Sequence, residues 1–237
     1  PTSAAPRAPL PGRHGMPQIE IGKVNILGID ELPPAMANEA RDALGELQAR
    51  ELKNTPYYEP VDDDQWDWPD PVDTLSPNFR SMNLGCVLIR PRDLSHTELA
   101  GYRFLGLGDN TARPGEPVLT IARQFERPDG VRVKLVENEI EGQGAAVVVR
   151  ELIRDRVGRW PAVFTVQRAP SGRVRTVLDW ADDGTDFTLM VLDDLHQRTD
   201  ASGYDKAWLI RLAQSIEQAG RINPRTIDAR TIHPRRR

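Results

Sequence analysis

Residues 161–195, PAVFTVQRAPSGRVRTVLDWADDGTDFTLMVLDDL, decide the fold. They hold three β-prone runs separated by Ala169-Pro170-Ser171-Gly172 and Asp182-Asp183-Gly184-Thr185. Glycine after short polar residues supplies the backbone freedom a tight reversal needs, so both tetrapeptides predict hairpin turns. In the middle run Val174, Thr176, Leu178 and Trp180 fall on one face, and Arg173, Arg175, Val177 and Asp179 on the other. Side chains alternate along a strand, so this pattern predicts one buried and one wet face, the habit of an antiparallel sheet.

Outward from this stretch the pattern repeats. VLTIARQFERPDGVRVKLVEN, residues 118–138, gives two runs joined by Arg127-Pro128-Asp129-Gly130, a strong hairpin signal. CVLIR (86–90) reads as a strand, and IEIGKVNILG (19–28) contains a short one. AAVVVRELI (145–153) is apolar but too short to separate a strand from a buried helix. Residues 204–219, YDKAWLIRLAQSIEQA, predict a helix whose stripe is Trp208, Leu209, Leu212, Ala213 and Ile216, stopped by Gly220. A second helix is expected over 33–53, opened by Pro33-Pro34 and presenting Met36, Ala40, Ala43, Leu44, Leu47 and Leu52. Gly45 weakens it, and its apolar face suits either a partner helix or its own domain. The expected class is α+β: an antiparallel sheet of about six to eight strands with two flanking helices and extended N- and C-terminal segments.

The chain divides into a Pro/Ala/Gly-rich flexible arm (1–18), a strand, helix and extended acidic-aromatic segment (19–83), the antiparallel sheet domain with its closing helix (84–220), and an Arg-rich basic tail (221–237). The arm reads either as a tether to an anchor or as a plain terminus, and Pro1 in place of Met is expected of a processed or trimmed chain. Among its 237 residues 39% are hydrophobic and 28% charged, enough for an ordinary core. Its 31 Lys and Arg stand against 35 Asp and Glu, a net charge of -4 that argues against a general nucleic-acid binder. No apolar run approaches a transmembrane length. A single cysteine, Cys86, excludes an internal disulfide and a multi-thiolate zinc site, and its apolar setting suggests an inert thiol.

Residues 55–80, TPYYEPVDDDQWDWPDPVDTLSPNFR, carry five prolines, a run of aspartates and the aromatic residues Tyr57, Tyr58, Trp66 and Trp68. Such an extended segment can lie across a partner and anchor there by its rings, or drape over its own domain and fill surface grooves. Its carboxylates also suit calcium, but the EF-hand spacing is missing. Gly106-Leu107-Gly108 and Gly142-Gln143-Gly144 lack the continuation of a phosphate loop and read as turn glycines. Asp179, Asp182, Asp183 and Asp186 crowd one turn, either as paired carboxylates or simply as hairpin residues. Ser95, His96 and His196 can be assembled into a triad only on paper, because no nucleophile elbow accompanies them. No catalytic signature, cofactor motif or metal cluster emerges, and the expectation is a protein that is not an enzyme.

Residues 99–219 taken together carry a resemblance. Gly101-Tyr102 precedes a strand, followed by the hairpin through Asp129-Gly130, the bend at Gly142 and Gly144, Leu178-Asp179-Trp180, a strand with Phe187-Thr188-Leu189, and a helix reading Leu209-Ile210-Arg211-Leu212-Ala213-Gln214-Ser215-Ile216. This order resembles the bacterial extracytoplasmic domain found at the C-termini of anti-sigma factors and lipoproteins. That domain is similar to the half-barrel of the lipoprotein carrier LolA and the regulator RseB. Trp180, Phe187, Leu189, Leu209, Leu212, Ala213, Ser215 and Ile216 match its hallmark positions. They are core and turn residues, so the resemblance speaks to fold before activity. It implies a curved, half-barrel-like sheet and an extracytoplasmic, periplasmic or membrane-associated location. The anti-sigma zinc segment has no counterpart here, nor do residues 1–80.

The function expected from these readings is a non-enzymatic accessory protein. It would hold a partner protein or membrane-protein complex through the arm and through Tyr57, Tyr58, Trp66 and Trp68. The alternative is a carrier of lipid or lipoprotein acyl chains on the concave face of the sheet. A carrier demands an apolar cavity of at least a few hundred cubic ångströms. A hydrolase would bring His96 or His196 to a serine and a carboxylate.

Overall fold

The computed structural model describes residues 24–53, 58–63, 66, 75–77, 89–108, 118–140, 146–197, 204–223 and 227. Its elements run β1 (Val24–Leu27), α1 (Pro34–Lys53), β2 (Tyr58–Pro60), β3 (Arg103–Leu107), β4 (Thr120–Glu126), β5 (Arg132–Glu139), β6 (Ala146–Val149), β7 (Asp155–Val157), β8 (Trp160–Arg168), β9 (Val174–Ala181), β10 (Thr185–Val191) and α2 (Lys206–Glu217). The chain is thus mixed α+β, with an eight-stranded sheet ordered β2-β8-β9-β10-β5-β4-β3, β7 lying beside β8, and the sheet open. Among the described residues only β2 joins it in parallel, on β8. Two antiparallel meanders, β3-β4-β5 and β8-β9-β10, are zipped together by the long-range pairing of β10 with β5.

The turns form as their residues dictate. Gly130 donates to the Arg127 carbonyl at 2.9 Å with φ of 87°, and Gly172 donates to Ala169 at 2.9 Å with φ of 86°. Gly106 has another task. Its φ is 146°, and a Cβ there would stand 2.8 Å from both Leu75 Cβ and the Ser76 carbonyl oxygen. The bare backbone lets residues 75–77 bridge onto β3, where Ser76 and Leu107 exchange hydrogen bonds of 2.9 and 2.8 Å.

One sheet face builds the main core. Phe125, Leu135, Leu178, Leu189 and Phe187 pack beneath α2, whose Trp208, Leu209, Leu212, Ala213 and Ile216 are all buried, the stripe the spacing predicts. Asp205 caps this helix by accepting the Trp208 N–H at 2.8 Å. Glu98 accepts the Trp208 indole N–H at 3.0 Å and the Tyr102 hydroxyl, while the Arg127 guanidinium lies 3.7 Å from the Tyr204 ring centroid. Within this apolar layer runs a charged chain. Arg123 and Glu137, each 1% exposed, pair with one another. Arg123 also donates to the Arg92 carbonyl at 2.9 Å, and Glu137 accepts the Arg92 N–H at 2.8 Å. Arg92 in turn reaches Asp182 and the Ala219 carbonyl, tying residues 90–92 and the end of α2 to the sheet.

Two expectations need correction. The second face of β9 is only partly wet: Arg173 is exposed and Asp179 half-buried, but Arg175 is 8% exposed and Val177 5%, because further chain covers this part of the face. The face of α1 is also rotated from the expected one. Ala37 and Ala40 are buried, Leu44 and Leu47 half-buried, Met36 is 43% exposed and Ala43 exposed. The helix rests on a second, two-stranded parallel sheet, β1 with β6, through Leu27, Leu32, Val147 and Val149. Small alanines permit that close approach, and Met36 lies off the contact. Within the run 145–153, Ala146–Val149 form strand β6 and Arg150–Leu152 a 3-10 turn. Cys86, Gly142, Gly144 and most of the expected strand 86–90 lie outside the described residues.

Candidate functional site

The cleft occupies the sheet face opposite α2. Strand register places its floor in two rows. Thr120, Asn138, Asp186, Ala181 and Pro161 lie across β4, β5, β10, β9 and β8, and Val136, Thr188, Asp179 and Val163 lie across the next row. The far wall comes from the small sheet and its following turn. Val147 and Val149 pack toward α1, so alternation turns Val148 to the opposite side, toward the floor, where Leu152 and Ile153 join it. Between floor and wall lies a cleft of about 830 Å³. That lies within the ordinary range of small-molecule sites, about 300–1,000 Å³. Val163 on its floor is 53% exposed, among the largest apolar exposures in the described residues.

Polar groups are few and sit together. The Thr120 hydroxyl donates to Asn138 Oδ1 at 2.7 Å, and the Thr188 hydroxyl donates to Asp179 Oδ1 at 2.6 Å. Asp179 and Asp186 are diagonal neighbours on β9 and β10, on one face. Burial pushes the Asp179 carboxyl above the usual carboxylate range; Asp186 and Glu59 add to the rise, while the Thr188 hydrogen bond and Arg175 oppose it. Asp186 is raised as well, first by burial and then by Asp182. Among the described residues no ion pair reaches either carboxylate. The aspartates at this turn therefore divide. Asp182 accepts the Thr185 N–H at 3.1 Å and pairs with Arg92 on the core side; Asp183 faces Arg159 at 3.6 Å in the open; Asp179 and Asp186 line the cleft. Among the described residues no three His, Cys, Asp or Glu side chains converge as a metal site.

The structure places two of the four aromatic residues proposed to grip a partner. Trp66 is buried, with the Arg175 and Arg173 guanidinium carbons 4.6 and 5.1 Å from its ring centroid. Asp63 anchors the same segment by accepting the Ser171 hydroxyl at 2.5 Å and an Arg173 N–H at 2.8 Å. Tyr58 is half-buried, donates its hydroxyl to Asp194 at 2.7 Å and stacks beneath Arg168 at 3.6 Å. Both rings are thus engaged with the chain's own sheet. Tyr57 and Trp68 lie outside the described residues. His196 stands edge-on to Phe164, with ring centroids 5.4 Å apart, and its backbone N–H donates to Asp194. Asp93 accepts the Ser95 N–H at 3.0 Å beside His96, a capping contact that holds its carboxyl below the usual range.

Sequence reasoning missed the cleft because it is made by pairings distant in the chain. The available signal was the β9–β10 alternation, which puts Asp179 and Asp186 on the face away from Trp180 and Phe187. No described helix is long and apolar enough to cross a membrane. Comparisons of the chain with models of protein families, with curated proteins and with solved structures found no match.

Proposed function

We propose that the chain is a non-enzymatic binding protein that holds a small molecule with an apolar body in the cleft between its main sheet and the β1–β6 unit. The observation that carries this reading is a cleft of about 830 Å³ walled by Val136, Val148, Leu152, Ile153 and Val163. Apolar walls with a few convergent polar groups are the usual build of a small-molecule site. The resemblance to the LolA and RseB half-barrel supports the same direction, and with it come a curved sheet and an extracytoplasmic location as parts of the proposal. Holding a partner protein through the 55–80 segment takes second place, since Tyr58 and Trp66 already pack on the chain's own sheet.

The test is a homologous series of n-alcohols titrated into the full chain by calorimetry. Each methylene removed from water contributes about 0.8 kcal/mol, so affinity should rise about fourfold per carbon until the cleft is filled. Val148→Arg, which places a charge in the far wall, should abolish the series while leaving the fold intact. Affinity independent of chain length, or undiminished in Val148→Arg, contradicts the proposal.

A further inference from the structure

The cleft joins two features that separately would specify little. Its walls are apolar: Val136 and Val163 on the floor, Val148, Leu152 and Ile153 opposite. Its floor also carries two carboxyl groups, Asp179 and Asp186, on adjacent strands. Acidic side chains on an apolar floor are costly unless something compensates them. For Asp179 the compensation inside the chain is the Thr188 hydroxyl and the distant field of Arg175, whose own Nε is engaged with Gln167 at 2.6 Å. Asp186 accepts no side-chain hydrogen bond among the described residues. Ion pairs hold the aspartates elsewhere on this turn: Asp182 with Arg92 and Arg221, Asp183 with Arg159. The two that face the cleft have none among the described residues.

A ligand that fills such a site must match both features. A neutral hydrocarbon would bury the carboxyls without a partner, and a fatty acid would add a third negative charge. An amine satisfies the arrangement, because an ammonium offers three donors and a positive charge between the two aspartates. We propose that the ligand is a cationic amphiphile, a primary amine on an alkyl body, with its ammonium seated between Asp179 and Asp186 and its chain lying between Val136, Val163, Val148 and Leu152. This inference rests on the cleft being a binding site, and it adds the chemistry of the head group.

The test compares decylamine, decanol and decanoate, each below its micelle concentration, titrated calorimetrically into the full chain and into Asp179→Asn/Asp186→Asn. A charge-assisted hydrogen bond is expected to make the amine bind about 10- to 100-fold tighter than the alcohol. Decanoate should bind weakest. The double variant should bring the amine down to the level of the alcohol. Circular dichroism confirms folding, and Asp186→Asn alone, at the less enclosed position, should lose part of the preference. If alcohol and amine bind within twofold of each other, or the preference survives in the double variant, the head-group assignment is overturned while the cleft reading stands. If none of the three binds, both fall together.

Discussion

Replacing Glu137 by Gln breaks the buried charged chain at its centre. Glu137 and Arg123 are each 1% exposed, so neither charge has recourse to water. Glutamine keeps an acceptor for the Arg92 N–H but leaves the Arg123 guanidinium without a counter-charge. Removing one partner of a buried pair costs about 3–5 kcal/mol. Set against a total stability of about 5–15 kcal/mol, that is a large fraction. For a chain of this size each kcal/mol lowers the melting temperature by about 2–4 °C, so a fall of roughly 6–20 °C is expected. Arg123→Met should behave alike. The double variant Arg123→Met/Glu137→Gln removes both charges and should cost less than the sum of the two, although the Arg92 carbonyl then loses a partner worth about 1–3 kcal/mol. Urea unfolding of wild type, both single variants and the double gives the cycle. A loss below about 1 kcal/mol in Glu137→Gln, or strict additivity in the double, would refute the view that this pair is held as a mutually dependent unit.

Three further outcomes are expected. Gly106→Ala drives a Cβ against Leu75 and the Ser76 carbonyl at a left-handed φ and should cost about 1–3 kcal/mol, read by urea unfolding, with residues 75–77 becoming accessible to protease. Asp179→Asn/Asp186→Asn should stabilise the chain at neutral pH. Both carboxyls are raised in the fold, so wild-type stability from them is greatest in acid and declines as pH rises from the ordinary Asp value through the raised ones, with Glu59, Arg175 and Asp182 shaping that window. Melting curves against pH should lose that part of the slope in the double variant. Asp93→Ala removes a capping acceptor and should cost about 0.5–2 kcal/mol near neutrality. Because the Asp93 carboxyl is held low, chiefly by the Ser95 N–H, this stabilisation is present above the ordinary Asp value and disappears as pH falls through the depressed one, so wild type and variant should converge in acid.

Local chemistry was the legible part of this molecule. Asp129-Gly130 and Ser171-Gly172 announced their hairpins because a left-handed residue at a tight turn leaves few alternatives. The stripe from Trp208 to Ile216 announced α2 because one helix face must be apolar to close a core. What could not be read were pairings between distant segments. Nothing near Thr185 says that β10 lies beside β5, and nothing near Val24 says that β1 runs parallel to β6. The burial of Arg175 and Val177 followed from segments that cover β9 from outside it, so a strand with one charged face looked wet. The face of α1 shifted for a similar reason: two alanines approach a small sheet, and Met36 stays out. The cleft depends on all of these, with Val148 and Asp179 meeting only through the tertiary arrangement. Alternation did carry a partial signal, because it separates Asp179 and Asp186 from Asp182, and that separation distinguishes a cleft-facing pair from a turn.

Methyl-resolved NMR of the full chain during titration with decylamine reads the cleft residue by residue. Methyl resonances of Val136, Val148, Leu152, Ile153 and Val163 should shift together with a single affinity, while Leu178, Leu189 and Leu209 in the core beneath α2 stay still. Shifts centred on the α2 face, or on the rings of Tyr58 and Trp66, or no shifts at all, would contradict it.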